Sequence, residues 1–391
     1  MHRSIKVRIK PNKTQTEIMN KTFAAVRFRW NYGLEEKNNF YDNNIKGKGL
    51  SKKETSEIWK TFKPKTEAEL KTAEDMLWLQ EVSSVPLVKT GRDLKNAWFK
   101  FNTGKIDGTP KFKSKYKKNS YYEYMNVKFD PDSKKIKLPK LGWVRIMRSG
   151  KWPNWYTKGD KVCSITVSRD TDCKYYASIL IESNDNYVSK SYLGDDTKCI
   201  GLDMSPDHFY VDSNGNYAPG YIKVKQDPDI KRHLTHLQRN LARKNNGSRN
   251  FGKAKLKLAK YEKHIANIRR DWREKEALRL VQTYNVIGIE SLDIKGLETD
   301  SYNAKNYVDL AWYDFTQLLL DKAQFYNCIV IKADKYFASS QLCSECGYKN
   351  EKVKDLSVRQ WTCPSCGTEH NRDVNAAINL RDLAIKEAKL L

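Results

Sequence analysis

Residues 199–205 read Cys-Ile-Gly-Leu-Asp-Met-Ser, a short apolar run carrying one carboxylate, Asp203. A second run, Val286-Ile287-Gly288-Ile289, ends on Glu290. Apolar runs of this length bounded by turn signals read as buried strands. An acid at the tip of a buried strand is costly unless it is solvated, paired or metal-bound. A third acid, Asp373, opens the helical pattern VNAAINLRDLAIKEA at residues 374–388. Any one of these acids alone is an ordinary cap, turn former or surface residue. Together, on three separate elements, they can converge on two Mg²⁺ ions, which prefer carboxylate, water and phosphate oxygens. Two ions about 3.5–4 Å apart can activate a water and stabilise the leaving oxygen of a phosphodiester. Asp207, Asp212, Asp293 and Asp382 are poorer candidates, because they fall in turns or on helix faces.

The segment between the first two acids is basic. Residues 221–276 hold 17 Lys/Arg against 6 Asp/Glu. Leu234, Leu237, Leu241, Leu256, Leu258, Tyr261, Ile265 and Ile268 fit the faces of two helices broken around Asn245 to Gly252, with a third helix ending near Tyr284. Such a stretch can track the phosphates of a duplex. Arg239, Arg243, Lys244, Arg249, Lys253, Lys255 and Lys257 are the candidate phosphate contacts; the bland alternative is a solvated charged helix. Ser213-Asn214-Gly215-Asn216 is a hairpin signal. A helix at about 309–326 and a strand in CIVIKAD (328–334) precede a cysteine cluster.

Cys343, Cys346, Cys363 and Cys366 form two C-x-x-C knuckles with 16 residues between them. Four thiolates fill a tetrahedral Zn²⁺ site with no open position, which makes the ion structural. A redox pair does not need two copies at ribbon spacing. His370 lies close by but is not needed as a ligand. Cys163, Cys173, Cys199 and Cys328 sit among apolar neighbours and read as reduced core residues.

Towards the N-terminus the pattern changes. Ser4 to Lys10 alternates apolar and polar and reads as a half-buried strand stopped by Pro11. A helical segment opens near Thr14 and continues with interruptions to about Phe101. Residues 104–119 read as a basic loop, and 135–139, 143–147, 162–168 and 175–182 as short strands of a small barrel, into which the first strand can pair. Lys89, Arg92 and Lys95 lie on one helical stretch and are further candidate nucleic-acid contacts. Tyr121, Tyr122 and Tyr124, beside Lys117 and Lys118, can stack on bases or pack in a core.

The whole chain of 391 residues carries 72 Lys/Arg and 47 Asp/Glu, a net charge of +25. A compact chain so charged repels itself unless a polyanion neutralises it, and nucleic acid is the default polyanion. With 39% hydrophobic residues it is too apolar for a disordered tail. No run of about 18 apolar residues suggests a membrane span. The N-terminus shows no apolar signal region, so a cytoplasmic or nucleoid location is expected.

Several of these stretches carry a resemblance. GLDMS, VIGIESLDIKGL and HNRDVNAAINL are similar to the three nuclease motifs of the TnpB family, the transposon-encoded RNA-guided nucleases with a RuvC-like core. SSQLCSECG and WTCPSCG resemble its zinc ribbon, residues 237–271 its basic helical segment, and KIKLPKLGWVRI with ITVSRDTDCKYYASILIE its barrel domain. Two positions depart from the family pattern: Ser291, where an acid often follows the motif Glu, and Asn371, where the third motif often has Asp. The resemblance implies an α+β multidomain fold. A small β-barrel (wedge) domain at 1–12 and 120–195 would carry an inserted helical recognition domain at 13–119. An RNase H-like (RuvC) α/β domain at 196–336 and 368–391 would carry an inserted zinc ribbon at 337–367, a target-nucleic-acid-binding module. It further implies Asp203, Glu290 and Asp373 as catalytic Mg²⁺ ligands. The implied partners are a guide RNA and target double-stranded DNA, with the protein a monomer in the complex, reading only a short flanking motif. The alternatives are a guided DNA-binding repressor without cleavage, a compact type V CRISPR effector of similar core, and a zinc-ribbon adaptor without chemistry.

Overall fold

The computed structural model describes residues 2–115, 119–148, 152, 156, 159–182, 194–221, 224, 227–291, 310–355 and 357–390. The chain divides into two compact units, Met1–Asp185 and Asn186–Leu391.

The first unit is built on a seven-stranded antiparallel sheet. Its strands are β1 (His2–Lys10), β2 (Asn119–Glu123), β3 (Lys128–Asp130), β4 (Lys135–Leu138), β5 (Gly142–Met147), β6 (Lys161–Arg169) and β7 (Tyr175–Glu182), in the spatial order β2-β6-β7-β1-β5-β4-β3. Ile5, Val7 and Ile9 of β1 point inward, as their alternation requires. β1 pairs with β7 from His2 to Ile9 and with β5 from Arg8 to Lys10, so the first residues of the chain lie mid-sheet. Met19, Phe23 and Val26 of helix α1 (Lys13–Asn44) complete that core. The helix starts at Asn12, whose side chain accepts from the Gln15 amide while the Gln15 side chain accepts from the Asn12 amide. Gln15 Nε2 also donates to the carbonyls of Leu141 and Trp143, at 3.1 and 2.9 Å. Among the described residues three further α-helices follow, α2 (Lys52–Lys60), α3 (Glu67–Thr72) and α4 (Ser84–Asn102), with a 3-10 helix at Glu74–Glu81 before the last. Ala25, Leu70, Leu79 and Leu87 form a second core among them.

In the second unit, strands β8 (Cys199–Ser205), β9 (Phe209–Asp212), β10 (Val286–Ile289) and β11 (Ile329–Lys332) form a sheet in the order β11-β10-β8-β9. The first three are parallel, and β9 is the antiparallel edge. Helices α5 (Pro228–Ala242), α6 (Arg249–Thr283), α7 (Trp312–Ala323) and α8 (Arg372–Ala388) accompany it. α8 lies directly on the strands. A Cβ on Gly201 would stand 1.8 Å from the Ala377 carbonyl oxygen, and one on Gly288 would stand 2.1 Å from that of Leu380. Only glycine admits a helix backbone so close to a sheet. The hairpin β12 (Gln360–Thr362) and β13 (Glu369–Asn371) runs into α8.

Three expectations need correction. The helix expected to end near Tyr284 is not separate: α6 runs unbroken for 35 residues, because nothing after Gly252 in that stretch is a Gly or Pro. The basic loop expected to reach Asn119 stops earlier. β2 begins at that residue, with Tyr121 and Glu123 turned inward on a period of two. Cys199 and Cys328 are buried, but Cys163 is only half-buried and Cys173 is exposed in a left-handed turn, so neither is a core residue.

Candidate functional site

The parallel pairing of β8 and β10 sets the site. Leu202 lies opposite Ile289, so the next residues, Asp203 and Glu290, lie side by side where β10 ends and two residues before β8 does. Neighbouring strands are about 4.8 Å apart, close enough for two carboxyls to touch. They do: Asp203 and Glu290 share a hydrogen bond, and both acids are held above their ordinary range. For Asp203 the leading cause is burial, followed by the charge of Glu290, that hydrogen bond and the charge of Asp373. For Glu290 burial again leads, while the hydrogen bond works the other way. Both shifts have one physical cause: two buried carboxylates in contact cannot both ionise cheaply.

Asp373 joins from α8. It occupies the first turn, where an acid suits the helix dipole. Asn371 caps the helix, its Oδ1 accepting from the amides of Asp373 and Val374 at 3.1 and 3.2 Å. Asn and Asp cap equally well, so the departure at position 371 costs no helix start.

Two cations frame the acids, and sequence reasoning missed both. Arg372 is buried, donates to the Asp355 carbonyl at 2.9 Å and lowers the pKa of both Asp203 and Glu290. Arg359 is mostly exposed and donates from Nη1 to Asp373 Oδ1 at 3.3 Å. The register Gln360↔Asn371 brings Arg359 next to Arg372. Among 72 basic residues nothing in the spacing singles these two out.

The donor set fits hard divalent cations. Asp203 is buried, and Glu290 and Asp373 lie close enough to raise its pKa, a repulsion that a divalent cation would offset. Their oxygens do not all fall within 4.8 Å of one another.

The cysteine cluster is tighter. The four sulfurs of Cys343, Cys346, Cys363 and Cys366 all lie within 4.8 Å of one another, with Cys343–Cys366 and Cys346–Cys363 at 3.6 Å. Zn–S bonds of about 2.3 Å in a tetrahedron require sulfurs about 3.8 Å apart, so the cage fits zinc. Hydrogen bonding to Thr368 pulls the Cys366 thiol down to about 6, while burial pushes Cys343 up to about 12. His370 Nε2 stands 3.0 Å from Cys343 Sγ, placed to donate to that sulfur from outside the set. Val353 and Trp361 pack with Cys343 and Cys363 as the ribbon's small core.

The remaining candidates divide. Arg239 on α5, Arg243 and Lys244 just after it, and Arg249, Lys253, Lys255 and Lys257 on α6 are all exposed. Lys253 and Lys257 face Leu237, Asn240 and Lys244 across a groove between the two helices. A second groove there gathers His233, His236 and His264, three of the chain's six histidines, which the sequence reading passed over. Arg92 and Lys95 are exposed, but Lys89 is half-buried, pairs with Asp93 and lies over the Tyr122 ring at 5.8 Å. Tyr121 is buried with its ring 5.3 Å from Phe23, so it is a core residue and presents no face to a base. Tyr122 is half-buried. Lys117 and Lys118 lie outside the described residues.

Among known proteins, residues 312–380 match the model of the Cas12f1-like TNB domain, residues 178–300 that of a probable transposase (OrfB_IS605), and residues 1–46 a helix-turn-helix domain of the same OrfB_IS605 group. A Streptomyces pristinaespiralis protein named "Putative RNA-guided DNA endonuclease" is 29% identical over 97% of this chain and 88% of its own. The Escherichia coli K12 protein "Putative RNA-guided DNA endonuclease InsQ" is 26% identical over 96% and 91%. A solved Cas12f1–sgRNA–target DNA complex aligns over 98% of this chain and 99% of its own at 14% identity, but with a TM-score of 0.34. Three ordered family matches along one chain, and relatives aligned over nearly all of it, give this protein a likeness to OrfB_IS605 proteins and RNA-guided DNA endonucleases that runs the length of the chain.

Proposed function

We propose that the protein is an RNA-guided DNA endonuclease that binds a transposon-derived guide RNA, recognises a short flanking motif and cuts double-stranded DNA, supporting maintenance of its transposon. The observation that carries this reading is the meeting of Asp203, Glu290 and Asp373 where β8, β10 and α8 converge. The four-stranded sheet with α8 against it serves as a RuvC-like, RNase H-type core, and the seven-stranded sheet as the barrel (wedge) domain. The domain limits given by the resemblance stand as part of this proposal, as does a monomer in the complex. A nucleoid location follows from the DNA substrate; among the described residues no helix is long and apolar enough to cross a membrane.

Asp203, Glu290 and Asp373 would hold two Mg²⁺ ions, whose chemistry is to activate a water and stabilise the leaving oxygen. Asp203 and Glu290 would serve as ligands in their ionised forms. Asp373 gives up its contact with Arg359, and the freed guanidinium can then take a phosphate oxygen. Arg372 stays behind the acids and limits their repulsion. Cys343, Cys346, Cys363 and Cys366 would hold Zn²⁺, which fixes the ribbon that carries Arg359.

The test is direct. The protein is purified from cells carrying its native locus, and the co-purifying RNA is sequenced. A plasmid matching the guide, with randomised flanks, is then exposed to the complex and Mg²⁺. A double-strand break beside one enriched flanking motif is expected. Tight, guide-dependent binding with no break at any Mg²⁺ concentration would instead leave a repressor.

A further inference from the structure

The edge of the sheet beside the acids carries an aromatic pair that the proposed chemistry does not use. Asp203 lies opposite Val211, and Val211 bridges to Tyr217. The hydrogen bonds Asp212 N to Asn216 O at 2.9 Å and Ala218 N to Tyr210 O at 3.3 Å flank that bridge. Val211 and Tyr217 are thus a non-hydrogen-bonded pair, the kind whose side chains stand closest. Residues opposed in this way share a face of the sheet. Tyr217 therefore stands on the face of Asp203, two strands away, about 10 Å between Cα atoms. The same face meets the start of α8: a Cβ on Gly215 would lie 3.9 Å from Val374, the residue after Asp373.

Tyr217 is 57% exposed, although the β9 residues beside it are buried. Its ring is stacked on His208, centroids 3.9 Å apart and planes 20° from parallel. One face of the tyrosine is thus covered by an imidazole, and the rest of the ring is open. Pre-stacked rings held open to solvent beside a phosphodiester-cutting site suit a nucleobase, which every stacking platform accepts through its π-face.

We propose that Tyr217, backed by His208, is a stacking ledge for the unpaired base next to the scissile phosphate. This inference rests on the nuclease reading of the acids. The ledge fixes the strand's register over the acids, and it selects a strand whose bases are already unstacked, because a base within a duplex has no free face. Tyr217 is a positioning residue; it contributes nothing to the acid–base chemistry.

The experiment uses the full chain with its guide RNA. Single-stranded DNA oligonucleotides carry 2-aminopurine at each position around the cut site. Quenching is read with Asp203→Ala, which does not cut, and single-turnover cutting is read with Asp203 intact. Tyr217→Leu should slow cutting about 10- to 100-fold, the scale of one lost base stack. It should also remove the quenching at one flanking position. Tyr217→Trp should keep both, and zinc content and melting temperature should not move. Wild-type cutting by Tyr217→Leu, equal slowing by Tyr217→Trp, or quenching unchanged by the loss of the ring would each overturn the ledge. Ring-dependent quenching without any cutting by the wild type would sustain the ledge and sink the nuclease reading.

Discussion

Asp203, Glu290 and Asp373 are each expected to be indispensable to cutting. Asp203→Ala, Glu290→Ala or Asp373→Ala should lower single-turnover cleavage by at least about 100-fold while guide-RNA affinity changes less than about twofold, since none lies on the basic helices. Cutting at the wild-type rate by any of the three would remove that residue from the mechanism. A different acid governs a pH effect in the first unit. Glu123 is turned inward on β2, accepts from Ser83 Oγ at 3.2 Å, and burial raises its pKa to about 7. The folded state then binds this proton more tightly than the unfolded chain. Stability is full below the ordinary pKa of 4.5, falls as the pH rises to about 7, and is level above it. The loss amounts to about 3 kcal/mol. Glu123→Gln should melt higher than the wild type at pH 8 and match it near pH 4; a constant difference across that range would contradict the assignment. The strand-tip acids were legible in the sequence because a charge ending an apolar run is conspicuous. Glu123 and Arg359 were not, because burial under α4 and a cross-hairpin register are not local properties.

At the scale of elements, long periodic segments were legible and short or composite ones were not. β1 and β7 alternate over eight or nine residues, and β6 was legible from its apolar content although a bulge between Val162 and Ser164 breaks its period. β3 has three residues and no period to read. The contact between α8 and the sheet was likewise hidden, because a glycine in an apolar strand does not say what approaches it. That contact gives a prediction. Gly288→Ala places a methyl 2.1 Å from the Leu380 carbonyl oxygen, so strand or helix must shift. Overpacking of this kind costs about 3 kcal/mol. For a unit of this size the melting temperature should fall by about 6–12 °C, and Glu290 should be displaced from Asp203, so cutting should fall too. A melt unchanged within about 1 °C would mean that α8 does not rest on β10. The ribbon is a second element with its own test. Its core is a few side chains around the cysteines, too few to fold unaided. Cys363→Ser should lower bound zinc to well below one ion per chain and loosen Arg359 from Asp373. Retention of a full equivalent of zinc in metal analysis would refute the cage.

Over the whole molecule, the charge of +25 was legible from composition, and the structure shows where part of it lies. α5 and α6 face each other along exposed Arg and Lys side chains, with Lys244, Lys253 and Lys257 around one groove. Lys/Arg outnumber Asp/Glu 17 to 6 over residues 221–276, so the segment carries a net positive charge. A phosphate backbone laid in such a groove releases its condensed counterions. The logarithm of affinity then falls linearly with the logarithm of salt, by about 0.7 to 0.9 per phosphate neutralised. The double variant Lys253→Gln, Lys257→Gln should therefore reduce the salt slope of nucleic-acid binding by about 1.5, and to the same extent for every sequence tested, because backbone contacts carry no base information. A control pair chosen from the first unit, Arg92→Gln with Lys95→Gln, separates two roles. If those residues read the flanking motif, they should change sequence preference more than slope. A salt slope unaltered by loss of Lys253 and Lys257 would place the nucleic acid elsewhere on the protein and leave the groove a merely solvated face.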